Sequence, residues 1–247
     1  MLITELNRPE PFSHHEHAAL DLVSKGNDPR TGSVFVAMLQ QGWSPLRNGM
    51  LNTGYFSVVY THNEKPYVIK INYRFDRAFA EYMILTRIHP NVHFPRFLDA
   101  KKLDYDSNVT FGNGKLHNYK NVYAYKIEKL KPLSPNEMSM EESQIIRGAM
   151  IYMSHYKLPT IQSAFVLLLE LIKDGTLVKP SWKRYLKKAS NLIYDNPSFS
   201  QALEILAKHR HGTLDIGPRN FAKREDGTLV ITDPFAFYDK KDKQDAA

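Results

Sequence analysis

The sequence of 247 residues contains no cysteine, and this absence excludes several classes of protein. Without thiols the chain has no disulfides, no cysteine-based zinc or iron–sulfur site and no thiol nucleophile. Long apolar runs are also missing, because the nearest candidate, Ala164–Ile172, is interrupted by Glu170 and is shorter than the roughly 18 residues of a membrane span. The N-terminus has neither a basic start nor an apolar core, so no secretory signal is predicted. These absences favour a cytoplasmic protein with no membrane partner.

The residues that are present indicate a globular chain with a basic surface. Apolar residues make up 43% of the chain and aromatic residues 12%, which is enough for a hydrophobic core. Lysine and arginine outnumber aspartate and glutamate by 33 to 26, which gives a net charge of +7. This charge favours partners that carry negative charge, although a nucleic-acid partner is the less favoured interpretation because charge describes association rather than fold.

Hydrophobic periodicity divides the chain into a β-rich first part and a helical second part, which is the pattern of an α+β protein. Runs of β-branched and aromatic residues predict a hairpin from Tyr55–Thr61 and Tyr67–Ile71, followed by a helix over Asp76–Arg87. Two further strands, Phe97–Leu103 and Asn121–Ile127, are predicted to flank a long loop, Asp104–Asn118, with its tip at Gly112–Gly114. Helical spacing then predicts four helices: Met140–Tyr156, Thr160–Lys173, Ser181–Tyr194 and Phe199–His209.

We predict four regions along the chain: a helical N-terminal extension over 1–48, a β-rich lobe with a hinge over 49–130, a helical lobe over 131–238 and a disordered tail over 239–247. Ligand-type side chains cluster in the first region, at His14–His17. Their spacing does not direct them at one point, so we predict a solvated terminus rather than a metal site.

Three segments carry the residue types that phosphoryl transfer requires. Gly54, at the turn before the predicted hairpin, permits backbone N–H groups to approach phosphates closely. Lys70, on the neighbouring strand, provides a fixed cation. Near the C-terminus, Asp215 suits a base that orients the acceptor hydroxyl, while Asn220 and Asp233 suit ligation of Mg²⁺.

In this order the segments resemble the protein kinases. Asp215 and Asn220 match the D-x-x-x-x-N of the kinase catalytic loop, and Asp233 follows at the end of an apolar strand, like the aspartate of D-F-G. Phe235 stands one residue later than in D-F-G, because Pro234 intervenes. The single glycine followed by Tyr-Phe-Ser and the ending I-T-D-P are similar to the early serine/threonine kinases of short-tailed lytic phages of the autographivirus kind, over about residues 45–238.

The resemblance implies a bilobal protein-kinase-like fold, with a small antiparallel β-rich N-lobe and a mostly helical, reduced C-lobe. It also implies ATP and Mg²⁺ as cofactors and a role for each site residue. Asp215, Lys70 and Glu81 would be catalytic, with Glu81 as the helix partner of Lys70, and Asn220 with Asp233 would bind the metal. The implied nucleotide-binding residues are Asn52, Gly54, Ser57, Val59, Lys70, Ile127, Glu128 and Leu130.

The function implied by the resemblance is phosphorylation of host proteins of transcription, translation and RNA processing in the host cytoplasm. Two departures from the family pattern are Leu214, which replaces the arginine before the catalytic aspartate, and Gly217, which stands where kinases place a cation. The short stretch after Asp233 leaves no usual activation segment. Two alternatives stay open: a small-molecule kinase of the aminoglycoside or choline type, and a catalytically weak pseudokinase that binds host polymerase or nucleic acid.

One predicted helix carries a concentration of positive charge. Lys183 and Lys187 are four residues apart, as are Arg184 and Lys188, so each pair lies along the surface of the helix. The basic residues are interpreted either as a solvated helix face or as a docking surface for an acidic partner.

Overall fold

The computed structural model describes residues 11–28, 30, 32–46, 57–72, 76–110, 116–175, 182–209 and 213–236. Over these residues the chain has seven α-helices and a five-stranded antiparallel sheet, which confirms the predicted α+β class. The chain divides into two compact units, Met1–Asp76 with Arg96–Leu130 and Arg77–Pro95 with Lys131–Ala247. None of the described helices is long and apolar enough to cross a membrane. The predicted tail over 239–247 lies outside the described residues.

The first unit is built on the five-stranded sheet, whose strand order is β1-β2-β3-β5-β4. The predicted hairpin is confirmed by β2 and β3, which pair in antiparallel register with Val59 opposite Lys70. The elements of this unit are α1 (His14–Ser24), α2 (Gly32–Gln40), β1 (Trp43–Pro45), β2 (Ser57–His62), β3 (Tyr67–Asn72), β4 (Phe97–Thr110) and β5 (Leu116–Glu128).

The two N-terminal helices share one hydrophobic core with this sheet. Along each strand the side chains alternate between the two faces of the sheet. On one of these faces the apolar side chains pack against those of α1 and α2. The buried cluster includes Leu20, Val23, Val34, Met38, Tyr60, Ile69 and Ile71.

The predicted loop over Asp104–Asn118 is wrong, because both flanking strands extend into it. β4 continues to Thr110 and β5 begins at Leu116, with Asp106 opposite Lys120 in the backbone register. Backbone pairing within a two-stranded ribbon needs no apolar face, so the polar composition that indicated a loop does not prevent it. The predicted tip at Gly112–Gly114 lies outside the described residues.

The predicted solvated terminus is also wrong at Glu16, which is only 2% exposed. Ser13 and Glu16 form a capping box at the start of α1, and the Glu16 carboxylate accepts a hydrogen bond from the Tyr67 hydroxyl at 2.7 Å. Its second oxygen lies 3.6 Å from Nζ of Lys126, which is itself buried on β5. A buried ion pair therefore ties α1 to the sheet.

The second unit is mainly helical, and its helices agree with the predicted ones to within two residues. Side-chain caps begin three of them, with Ser139, Thr160 and Asn196 each accepting from a backbone N–H three residues on. The predicted start at Ser181 lies outside the described residues. The elements are α3 (Arg77–Ile88), β6 (Lys131–Pro132), α4 (Met140–His155), α5 (Ile161–Lys173), α6 (Trp182–Tyr194), α7 (Pro197–Lys208), β7 (Thr213–Leu214), β8 (Phe221–Lys223), β9 (Leu229–Ile231) and β10 (Phe235–Ala236).

Candidate functional site

Two short antiparallel ladders in the second unit bring the C-terminal motif residues together. β7 pairs with β10, and β8 pairs with β9. The segment that joins β7 to β8, residues 215–220, therefore lies beside the segment that joins β9 to β10, residues 232–234. We call these segments the paired loops. The paired loops contain three of the predicted site residues: Asp215, Asn220 and Asp233.

Hydrogen bonds between the paired loops fix their relative position. The Asp215 N–H donates to the Pro234 carbonyl at 2.8 Å, and the Thr232 N–H donates to the Asn220 carbonyl at 2.8 Å. Asn220 ends a 3-10 turn and is buried, and its side-chain Nδ2 donates to the carbonyl oxygen of Asp215. Because the NH₂ group of the Asn220 side chain already donates this hydrogen bond, the carboxamide oxygen is the atom that can bind a cation.

The two carboxylates of the paired loops differ in their surroundings. The Asp215 side chain is 33% exposed and accepts a hydrogen bond at 2.9 Å from the guanidinium of Arg219, which is 59% exposed. Asp233 is half-buried. Within the described residues, no group of three or more histidine, cysteine, aspartate or glutamate side chains could hold a metal ion. The oxygen ligands that the paired loops offer a metal are therefore the Asn220 carboxamide and the carboxylates of Asp215 and Asp233.

Helix α3 packs onto the strands on either side of Asp233. The Tyr82 ring meets the Phe235 ring edge to face at 6.0 Å between centroids, and the Tyr82 hydroxyl donates to the Ile231 carbonyl. Tyr82 was not predicted as a site residue, although its spacing of three residues from Phe79 on an apolar helix face marks it as buried. Glu81, one residue earlier, forms an ion pair with Arg77 at 2.8 Å. Glu81 and Lys70 belong to different units, and their pairing stays a prediction.

A buried histidine holds the strand that leads into Asp233. His93 accepts the Ile231 N–H on its carbonyl at 2.8 Å, and its ring nitrogens lie 2.6 Å from the Leu229 carbonyl and 3.0 Å from the Ser198 hydroxyl. Burial lowers the pKa of His93, so the neutral ring is favoured. Arg224 adds a hydrogen bond to the Phe94 carbonyl at 2.9 Å. His93 thus holds β9 at both of its ends, Leu229 and Ile231, and Arg224 holds the residue that follows the histidine.

In the first unit, several predicted nucleotide-binding residues share the sheet face opposite the helical core. Lys70 lies between Val59 and Tyr125 in the strand register, and Val68 lies opposite Ile127. Burial and the negative charge of Asp76 raise the pKa of Tyr125. We call this the Lys70 face, and it contains Ser57, Val59, Val68, Lys70, Asn72, Tyr123, Tyr125 and Ile127. Asn52 and Gly54 lie outside the described residues.

The predicted hinge is held by hydrogen bonds to its neighbours. The Glu128 N–H donates to the Arg96 carbonyl at 3.0 Å, and the Glu128 carboxylate accepts from the Arg96 N–H at 2.9 Å. The Lys129 N–H donates to the Pro66 carbonyl at 2.8 Å. The backbone at Glu128 and Lys129 is therefore fixed at the end of β5.

An unsatisfied amide lies on the Lys70 face. Asn72 is 1% exposed, and among the described residues neither its Nδ2 nor its Oδ1 has a hydrogen-bond partner. A buried polar group without a partner costs roughly 1–3 kcal/mol. Asn72 was not predicted as a site residue, because an asparagine at the end of a strand ordinarily indicates a turn.

Replacing Asn72 with leucine, which has a similar volume, is therefore expected to raise the free energy of unfolding by about 1–3 kcal/mol. Urea denaturation followed by circular dichroism measures the change, with Asn191→Leu, on the exposed side of α6, as the control for added apolar surface. A lower stability for Asn72→Leu would mean that water or a bound group satisfies the amide.

The basic surface of α6 is smaller than predicted, because Lys188 is engaged within its own unit. Its Nζ lies 3.1 Å from the buried carboxylate of Glu142 and donates to the Asn136 carbonyl at 2.8 Å. The remaining cations, Lys183, Arg184 and Lys187, are exposed. We call these three the α6 patch.

Comparison of the chain with models of known protein families and with curated proteins finds no match.

Proposed function

We propose that this chain is an ATP-dependent serine/threonine protein kinase with a bilobal protein-kinase-like fold, of the kind that phages use to phosphorylate host proteins early in infection. The observation that supports this most is the pair of loops that carries Asp215, Asn220 and Asp233 side by side. Phosphoryl transfer needs a base and oxygen ligands for a metal within one small site, and the paired loops provide both residue types.

In this mechanism Asp215 accepts the proton of the acceptor hydroxyl. Its side chain is partly exposed, so a peptide hydroxyl can approach it from solvent. The carboxamide oxygen of Asn220 and the carboxylate of Asp233 are hard oxygen ligands of the type that Mg²⁺ prefers, and they would hold the metal. When bound, Mg²⁺ neutralises negative charge on the phosphates.

The Lys70 face is proposed to bind the nucleotide. The ammonium of Lys70 would pair with the phosphates, and the apolar side chains of Val59, Val68 and Ile127 would contact the base. The backbone of Glu128 and Leu130, on either side of the fixed Lys129, would form hydrogen bonds with the edge of the base.

Transfer of radiolabel tests the proposal directly. We would incubate the purified chain with γ-labelled ATP, Mg²⁺ and a bacterial lysate, and analyse proteins and small molecules separately. Labelled proteins that contain phosphoserine or phosphothreonine are the expected result, and EDTA should abolish the labelling. Label in a small molecule alone would favour the small-molecule kinase. ATP binding without any transfer would favour the pseudokinase.

The α6 patch is proposed to dock an acidic segment of the substrate protein. Helix α6 contains no acidic residue, and Lys183 and Arg184 lie in its first turn, where the helix dipole disfavours cations. A helix that served only as scaffold would gain stability from acidic residues there. The charge arrangement is therefore explained better by a partner with negative charge.

Reversing the α6 patch (Lys183→Glu, Arg184→Glu and Lys187→Glu) is expected to weaken phosphorylation of the protein substrate roughly tenfold at low salt, since each exposed pair contributes about 0.2–1 kcal/mol. Initial rates at subsaturating substrate measure the loss, and salt should reduce the parent's rate in the same way. The control reverses three other exposed cations, Lys65, Lys157 and Lys173. Equal losses in both triple variants would assign the effect to net charge instead.

A further inference from the structure

The hydroxyl of Ser198, at the start of α7, lies between two possible acceptors. Its oxygen is 3.0 Å from Nε2 of His93 and 2.9 Å from Oδ1 of Asn196. Asn196 is the N-cap of α7, and its Oδ1 also accepts the Phe199 N–H at 3.0 Å. Because a hydroxyl has a single proton, Ser198 can donate to only one of the two acceptors at a time.

The charge of the His93 ring decides which acceptor Ser198 uses. Nδ1 of the ring lies 2.6 Å from the Leu229 carbonyl, and a carbonyl oxygen can only accept, so Nδ1 carries a proton in both charge states. In the neutral ring Nε2 therefore has no proton and accepts from Ser198. In the charged ring Nε2 donates to Ser198, whose own proton then turns to Oδ1 of Asn196.

Both contacts of Ser198 are thus hydrogen bonds only when the ring is charged. The neutral ring leaves the contact between Ser198 and Asn196 without a proton, and protonation of the ring supplies one by rotation of a single hydroxyl. His93 can therefore take up a proton in place, although the residue is only 3% exposed. We call His93, Ser198 and Asn196 the His93 triad.

Burial and a neighbouring cation oppose this proton. The Arg224 guanidinium donates to the carbonyls of Val92 and Phe94, on either side of His93. Burial, and with it the positive charge of Arg224, lowers the pKa of His93. Asp226, in the turn between β8 and β9, interacts with Arg224. The groups that α7 and β9 present to the ring are uncharged: the side chains of Asn196, Ser198 and Phe199 and the Leu229 carbonyl.

We propose that the His93 triad is a proton-sensitive switch that loosens the junction of α7 with β9 in mildly acidic conditions. Native His93 binds a proton less readily than a solvated histidine does, so an opening that exposes the ring takes up a proton. The junction therefore has its full stability above the ordinary histidine pKa of about 6.5, and it loses stability as the pH falls through the lowered pKa of His93. Because β9 runs directly into the paired loops, these loops lose support with it. The inference holds whichever reaction the paired loops carry out.

Titration of the His93 ring by NMR, between about pH 5 and pH 8, tests the triad. We would follow the ring C–H signals in the parent, Ser198→Ala, Ser198→Thr and Asn196→Asp, and assign the His93 signal by its absence in His93→Gln. Aspartate and asparagine are equally good N-caps, so Asn196→Asp should preserve the start of α7. The controls are Ser163→Ala and Thr160→Asp, which make the same changes at the capped start of α5 in the same unit.

Ser198→Ala should lower the midpoint of the His93 titration by about half to one pH unit, because the charged ring loses one hydrogen bond more than the neutral ring does. Ser198→Thr, which keeps the hydroxyl, should restore the parental midpoint. Asn196→Asp should raise the midpoint by about one pH unit, since a carboxylate favours the charged ring, and adding Ser198→Ala should remove most of this rise. Both controls should match the parent. Equal midpoints in the parent, Ser198→Ala and Asn196→Asp, or a parental ring that does not titrate in this interval, would overturn the inference.

Hydrogen exchange at the amide of Ile231 tests the loosening itself, because this N–H donates to the His93 carbonyl at 2.8 Å. Over the same pH range its protection factor should fall several-fold in the parent as the solution is acidified. The fall should be absent in His93→Gln, whose side-chain amide can donate to the Leu229 carbonyl but does not titrate. A fall of the same size in both proteins, or none in the parent, would show that protonation of His93 does not loosen β9.

Discussion

Asp215→Ala should lower the rate of phosphoryl transfer roughly 10²–10⁴-fold, which is the usual contribution of a general base. ATP affinity should change little, because the Asp215 side chain pairs with Arg219 and is proposed to act on the acceptor hydroxyl rather than on the nucleotide. Single-turnover rates at saturating ATP measure the first quantity, and equilibrium binding measures the second. Asp215→Asn, which keeps the shape of the side chain, should show a loss of similar size.

The matched control for Asp215→Ala is Asp195→Ala, at an exposed aspartate of the same unit that follows α6. This control should retain the full rate. Half the parental rate in Asp215→Ala would remove Asp215 from the mechanism. A large loss of ATP affinity would instead assign Asp215 to nucleotide or metal binding.

Glu16→Ala should destabilise the first unit by about 3–5 kcal/mol, the cost of breaking a buried ion pair by removing one partner. Lys126 would keep a buried ammonium, 1% exposed, without its carboxylate. The change also removes the acceptor of the Tyr67 hydroxyl and the second half of the capping box on α1. Urea denaturation at neutral pH measures the free energy of unfolding.

A double variant distinguishes the stability lost through the unpaired buried charge from the stability lost through poorer packing. Glu16→Gln with Lys126→Met replaces the pair by uncharged side chains of similar volume, and it should recover most of the stability that Glu16→Ala loses. Lys126 also lies over the Tyr67 ring at 3.9 Å, a contact that methionine partly preserves. A loss below 1 kcal/mol for Glu16→Ala would show that the buried charges are solvated.

Local pattern predicts the helices well and tertiary burial poorly. The four C-terminal helices are correct to within two residues, because their apolar spacing and caps are local signals. The β4–β5 ribbon was missed, because its strands are specified by pairing with each other. Glu16 was missed because its burial depends on Lys126, which is more than 100 residues away in the sequence.

In the candidate site, too, the features with a local sequence signal were predicted and those that depend on tertiary contacts were not. Residue types and spacing were enough to single out Asp215, Asn220 and Asp233, which the paired loops then bring together. The sequence could have indicated the ion pair of Asp215 with Arg219, since a spacing of four residues is a local signal. The contact of Tyr82 with the strand before Asp233 and the unpaired amide of Asn72 follow from packing alone, so no local pattern predicts them.

The buried pair of Glu16 and Lys126 sets a limit on how far the protein can be shortened. A chain that starts at residue 49, where the β-rich lobe was predicted to begin, would lose Glu16 and leave the Lys126 ammonium in an apolar site. It would also uncover Tyr60 and Ile69, which α1 and α2 bury. Trimming at that boundary should therefore give an insoluble product, and a minimal version must retain the segment from Pro11 onward, whose carbonyl accepts from Lys126 at 3.0 Å.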